Sequence, residues 1–232
     1  MAEKVKNKRS RDEILEIIVV VLLGVTALLT AWATWIGSLH GGNQATNYTK
    51  SNNIAADGNA RWNQAAQELT EDMSLWNTIS ELRIEYNFAE EKKDSAEMER
   101  CEWKLNQLYN DSVSEELSKA IDWADNQKEY ASPFEMEGFV DSYFADAQAV
   151  LDEAQAVLEE GQADNAHGDA YGLVTVIYSI VLFLLGIAGS FKSSTNKTVV
   201  VCISIVGMLI ATIYMLTIPM PTGFSLFSYF GG

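Results

Sequence analysis

Residues 17–36 read IIVVVLLGVTALLTAWATWI, and no ionisable side chain lies between Glu16 and His40. An α-helix rises about 1.5 Å per residue, so a run of this length reaches about 30 Å, the thickness of a bilayer's hydrocarbon core. Two further stretches share the character. Residues 170–191, between Asp169 and Lys192, are 22 uncharged residues, and no formal charge occurs from Thr198 to Gly232. In hydrocarbon every backbone N–H and C=O has to be satisfied within the segment, which selects helix for runs of this kind. A soluble core helix keeps a polar face, and these runs have none. Three membrane spans follow: 17–36, 170–191 and 198–218.

The positions of Lys and Arg set the orientation. Lys4, Lys6, Lys8, Arg9 and Arg11 precede the first span, and the link 192–197 holds Lys192 and Lys197 with no acid. On the other side the nearest base to span one is Lys50, and none lies in the 18 residues before Ala170. This predicts a multi-pass protein of the plasma (cytoplasmic) membrane. Residues 1–16 form a basic cytoplasmic N-terminus and 192–197 a cytoplasmic loop. Residues 37–169 and an aromatic tail, 219–232, lie outside the cytoplasm. Trp32, Trp35 and Tyr171 are placed to form an interfacial aromatic belt. Ala31-Trp32-Ala33 resembles a signal-peptide cleavage site, but the apolar run continues through Trp35 and Ile36, so span one is expected to be a retained anchor.

The chain has 232 residues, 16 Lys+Arg, 32 Asp+Glu and a formal net charge of −16. Such a balance excludes sequence-independent nucleic-acid binding, which needs many bases to neutralise phosphates. The acid is concentrated in 37–169, where 28 acids face nine bases for a net −19. One proline, Pro133, falls there, and helix is the default. From Ile54 to about Lys93, Trp62, Ala65, Leu69, Trp76, Ile79 and Tyr86 recur at helical spacing, with Leu75, Leu82 and Ala89 beside them. A second helix after Asp94 carries Met98, Cys101, Leu105 and Leu108 on one face. Asn110-Asp111-Ser112 is a break, and Ser112-Val113-Ser114-Glu115 predicts a capping box for a helix running to Ala131-Ser132-Pro133.

The last central helix contains a seven-residue repeat: Ala147-Gln-Ala-Val-Leu-Asp-Glu153, then Ala154-Gln-Ala-Val-Leu-Glu-Glu160. Extended backwards, the frame gives an apolar stripe of Val140, Tyr143, Phe144, Ala147, Val150, Leu151, Ala154, Val157 and Leu158. Such a stripe has to pack on another helix, within this chain or across a subunit contact. The fold class is all-α: three transmembrane helices plus an elongated acidic extracytoplasmic helical bundle, antiparallel or coiled-coil-like. Trp62, Trp76, Trp103 and Trp123 supply large apolar surface for its core.

The segment Ala56-Asp-Gly-Asn-Ala-Arg-Trp62-Asn-Gln-Ala-Ala-Gln67, the entry His167-Gly-Asp-Ala-Tyr171 and the paired spans with a basic link resemble a family of bacterial three-span membrane proteins of unknown function. The resemblance is one of layout over nearly the whole chain. It implies a helix after span one and a His/Tyr entry to span two, and it implies no catalytic residue.

Motifs for chemistry are missing: no phosphate-binding loop, nucleophile elbow, paired-histidine zinc helix or EF-hand loop occurs. No enzyme activity and no cofactor are expected, and a membrane-bound hydrolase would lack a nucleophile–base constellation. Cys101 and Cys202 fall on opposite sides of the membrane and cannot pair in one chain. Cys101 is expected to be a buried free thiol, or else a bridge between subunits. His40 and His167, the only histidines, are expected as incidental loop residues. Were spans one and two neighbours, the two rings would form a pH-sensitive or metal-binding pair near Asp164 and Asp169. Thr26, Thr30 and Thr34 make a polar stripe along span one. They would line the pore of a homo-oligomer, or bond to carbonyls one turn back against a neighbouring helix. Two function classes result. One is a non-enzymatic membrane protein whose acidic ectodomain assembles with itself or binds a protein partner at the cell surface. The other is a homo-oligomeric, cation-favouring channel with the acidic domain as an outer vestibule that concentrates cations. The lipid bilayer is the partner common to both.

Overall fold

The computed structural model of the protein describes residues 11–191 and 193–227. Lys4, Lys6, Lys8 and Arg9, the side chain of Arg11, Lys192 and Phe230 of the tail lie outside the described residues. Among the described residues the chain is all-helical: α1 (Arg11–Lys92), α2 (Ser95–Asp111), α3 (Glu115–Asp125), a 3₁₀ turn (Pro133–Glu135), α4 (Phe139–Ala188) and α5 (Ser194–Thr217). α1, α4 and α5 each contain a stretch long and apolar enough to cross a membrane. The chain divides into two compact units, residues 1–50 with 157–232, and residues 51–156.

The boundary drawn at residue 37 is not a structural break. α1 runs unbroken through Gly41, Gly42, Asn43, Asn47, Asn52 and Asn53, residues of poor helix propensity that cost up to about 1 kcal/mol each. No proline interrupts this stretch, so the backbone ladder survives, and packing along one face offsets the weak propensity. Span two likewise continues the helix that carries the seven-residue repeat.

The first unit is a trio of helices. Ala33 and Ile36 of α1, Tyr171, Val174 and Tyr178 of α4, and Ala211 and Met215 of α5 form one core, and Val19, Ala188 and Val201 a second. Tyr171 is therefore not part of an interfacial belt: it is 1% exposed, because its ring stacks on His40 at a centroid distance of 5.8 Å. The outward faces are apolar as well, with Val20, Leu28, Phe183, Ile213 and Leu216 each more than half exposed. The link between α4 and α5 lies earlier than expected, at 189–193 instead of 192–197, since α4 ends at Ala188 and α5 begins at Ser194. Lys197 lies in its first turns, buried, with Nζ 3.3 Å from Glu16 Oε1.

In the second unit Trp76 and Ile79 of α1 pack with Leu117, Ala120 and Ile121 of α3 and Phe139 of α4. α3 has 11 residues, too few to hold a helix unaided. Burial of Leu117 and Ile121 stabilises it by about 1.5–3 kcal/mol each. Its cap is Ser114, whose Oγ accepts from Leu117 N, and not the expected Ser112. The helix ends at Asp125, before the predicted stop at Ala131–Pro133. Of the four tryptophans only Trp76 is buried; Trp62 and Trp103 are 40% and 63% exposed. Every residue of the 140–158 stripe is buried or half-buried, and every other position from Asp141 to Glu160 is exposed. In this unit the stripe meets α1 of its own chain. A β-carbon on Gly58 would lie 2.8 Å from Leu151 Cδ2, Ser51 Oγ donates to Ala154 O at 2.7 Å, and the Trp62 and Phe144 rings lie 4.5 Å apart.

Asp72 ties three helices of this unit together, accepting from the hydroxyls of Tyr143 on α4 and of Ser114 before α3. Burial first, and then the bond to Asp72, push the Tyr143 phenol above its usual value of 10.0. The folded state thus holds this proton more tightly than the unfolded chain. Its contribution is intact below pH about 10 and is lost as pH rises above it. On alkaline titration followed by helical circular dichroism, the full chain is expected to lose stability above that point, and Tyr143→Phe to lose distinctly less.

Candidate functional site

Three residues on each of two helices build the site in the first unit. His40, Asn43 and Asn47 stand at i, i+3 and i+7 on α1, and Asp164, His167 and Tyr171 stand at the same spacing on α4, so each set shares one face. Small residues bring the faces together. A β-carbon on Gly168 would lie 3.6 Å from Gly37 O, and one on Gly161 would lie 2.6 Å from Tyr48 Cδ1. Any larger side chain at Gly161 has to displace a tyrosine ring.

His40 Nδ1 lies 2.8 Å from Asp164 Oδ1 and His40 Nε2 lies 3.2 Å from Pro219 O. His40 is 1% and Asp164 6% exposed. Asn47 Nδ2 donates to the other carboxylate oxygen, Asp164 Oδ2, at 3.4 Å, and Asn43 Nδ2 donates to Thr222 O at 3.3 Å. The imidazole of half-buried His167 approaches that of His40 to a centroid distance of 5.2 Å. An open cleft of about 400 Å³ lies over these groups and is lined also by Glu160, Ala163 and Met220. The histidines are therefore helical and adjacent, and the expectation of incidental loop residues is corrected. Asp164 is brought to them, whereas Asp169 is exposed and accepts from Asn165 Nδ2 at 3.5 Å.

The segment after α5 closes the site. Pro219 and Pro221 cannot extend a helix but leave free carbonyls, and Phe224 packs edge-on against Trp32 and Trp35 at 6.2 and 5.8 Å. The tail thus rests on its own α1. Sequence reasoning missed Asn43, Asn47 and Pro219. The polar i, i+3, i+7 spacing shared by residues 40–47 and 164–171 was the available signal.

The other singled-out residues lie elsewhere. Thr26 is buried with its hydroxyl 3.4 Å from Met208 Sδ, while Thr30 and Thr34 donate to the carbonyls of Thr26 and Thr30 at 2.7 and 2.8 Å. The stripe runs from a buried end to an exposed one. Cys101 is a buried free thiol and Cys202 an exposed one. Cys101 lies near Glu85 and Glu97, but Arg100 bonds both of those carboxylates, which leaves them poorly disposed to a ligand. Comparison with protein-family models, curated proteins and solved structures finds no match to this chain.

A buried carboxylate that loses its partner is costly, whereas an apolar replacement of both partners is not. His40→Phe retains a ring against Tyr171 and strands Asp164. It is expected to lower unfolding stability by about 3 kcal/mol, measured by denaturation in mixed micelles, and the pair His40→Phe/Asp164→Leu to recover most of that loss.

Proposed function

We propose that the chain is a non-enzymatic, three-span membrane protein whose acidic helical unit is an interaction module facing the outside of the cell. The Lys/Arg asymmetry supports a cytoplasmic N-terminus, with residues 37–169 and the C-terminus outside. The apolar outward faces of α1, α4 and α5 support a lipid environment, since water-exposed apolar surface of that extent is rare.

The observation that carries the interaction role is a groove in the second unit. It has a volume of about 580 Å³ and is lined by Trp76, Arg83, Ile84, Asn87, Asp125, Lys128 and Tyr130, among others. Its floor is rigid. Arg83 makes a two-pronged contact with Asp125 at 2.7 and 2.9 Å and receives support from Tyr109 and the face of Trp76. The Asp125 hydrogen bond raises the Arg83 pKa further above its usual value, so the cation is permanent. The lip is apolar and open, with Ile84 68% and Tyr130 85% exposed, and Phe88 one turn beyond Ile84 is 61% exposed. Large apolar side chains held out on an otherwise acidic surface mark recognition surfaces, and aromatic residues and Arg are the usual anchors. A second copy of the chain or another protein fits this surface. The channel reading has less behind it, because Thr30 and Thr34 already bond within their own helix.

Two measurements check this. A single-cysteine protein, Glu91→Cys with Cys101→Ser and Cys202→Ser, is expected to react with a membrane-impermeant maleimide on intact cells. Protection until lysis would overturn the topology. With a photo-crosslinking amino acid at position 130 or 84, irradiation of cells is expected to give a discrete adduct, at twice the chain mass for self-assembly. Membrane-localised protein that gives no adduct at either position would overturn the interaction role.

A further inference from the structure

We propose that His40, Asp164 and His167 bind a divalent transition cation of the zinc type. One ligating atom from each residue can be chosen so that all three lie within 4.8 Å of one another. Two come from one turn of α4 and the third from the facing α1, a rigid two-helix frame of a kind that suits metal ligands. Two imidazoles and a carboxylate are a usual three-ligand set for zinc, which leaves a fourth position for water.

The hydrogen-bond pattern of His40 carries the point. Pro219 O and the Asp164 carboxylate can only accept, and they lie 3.2 Å from Nε2 and 2.8 Å from Nδ1. A neutral imidazole carries one hydrogen, so it satisfies one of these contacts and leaves a lone pair facing an acceptor at the other. With the hydrogen toward Pro219 O, the Nδ1 lone pair and Asp164 Oδ1 face each other and need a cation between them. An extra proton meets that need, and so does a metal ion. The surroundings favour the metal. A ligating histidine typically donates its other N–H to a backbone carbonyl, and a ligating carboxylate is itself hydrogen-bonded. Pro219 O and the Asn47 amide supply those two contacts. His167 adds a third donor, for which a lone proton has no use. Bonds of about 2.1 Å need the donors about 3.4 Å apart, a small opening of the His40–Asp164 contact. The cleft over the site admits the ion and its water. This site stands independently of the interaction role proposed for the second unit.

The test uses the full chain in detergent, stripped with a chelator and then titrated with Co²⁺ and Zn²⁺. Stoichiometric Co²⁺ binding is expected, with the intense visible bands of a four-coordinate ion that Zn²⁺ abolishes, and Zn²⁺ is expected to raise the thermal midpoint. His167→Gln changes a half-exposed side chain, and Asp164→Asn preserves shape. Each is expected to weaken Co²⁺ binding by more than about 100-fold, beyond what outer contacts of a metal site contribute. Glu153→Gln, on the solvent face of α4, leaves it unchanged. Helical wild-type protein that binds no Co²⁺ stoichiometrically, taking up a proton only, overturns the proposal. So does a Co²⁺ spectrum and affinity that both variants leave intact.

Discussion

In the first unit the approach of α1 to α4 governs everything near the site. A β-carbon on Gly37 would lie 3.1 Å from Tyr171 Cβ, and the Tyr48 ring fills the space a side chain at Gly161 would take. Helices with bulky residues at their contact pack 8–10 Å apart. Small residues let the backbones come nearer, which is also what holds helices together in lipid, where apolar burial between them drives little. At this separation a histidine side chain on one helix reaches a carboxylate on the other directly. A side chain in place of Gly161 would have to displace the Tyr48 ring, and one in place of Gly37 would crowd Tyr171.

The same positions show why part of the structure was legible and part was not. Extending the seven-residue frame backwards from Ala147 gave an apolar stripe whose burial matches the pattern of α4 residue for residue. Carried forwards past Ala154, the frame lands on Gly161 and Gly168, which are contacts of the opposite kind. A search for apolar recurrence passes over them, because their contribution is the absence of a side chain. The same bias ended span one at Ile36. Gly41, Gly42 and the asparagines resemble a loop by propensity, and helix propensity is a weak prior when one face is packed. The spans were easy to read because twenty uncharged residues admit few alternatives. His40 and His167 were visible as residues, but their meeting depends on which two long helices are neighbours, and periodicity along one helix does not encode that.

The acidic character of residues 37–169 calls for a different explanation from stability. Nearly all ion pairs in the second unit join exposed side chains, such as Arg61 with Asp57 and Lys119 with Glu115. Pairs of that kind contribute little each. The fold there rests on the apolar cluster around Ile79 and Ile121 and on the Asp72 network. The surplus of carboxylates opposes compaction through mutual repulsion and favours solubility. Arg83 set against Trp76, with Ile84 and Tyr130 left open around it, is one interruption of that surface.

The C-terminal segment depends on α1. A chain that leaves α5 at Thr217 has two prolines within four residues, which remove N–H donors and leave carbonyls in need of partners. α1 supplies them from side chains, His40 to Pro219 O and Asn43 to Thr222 O, while Trp32 and Trp35 receive Phe224. The Pro219 contact sets an acceptor against Nε2 of His40, the ring nitrogen opposite the one that faces Asp164. A tail that looks like a mere terminus in the sequence thus forms part of the surroundings of the most buried histidine. Changes at Pro219 should act on that imidazole without touching either of the helices that hold it.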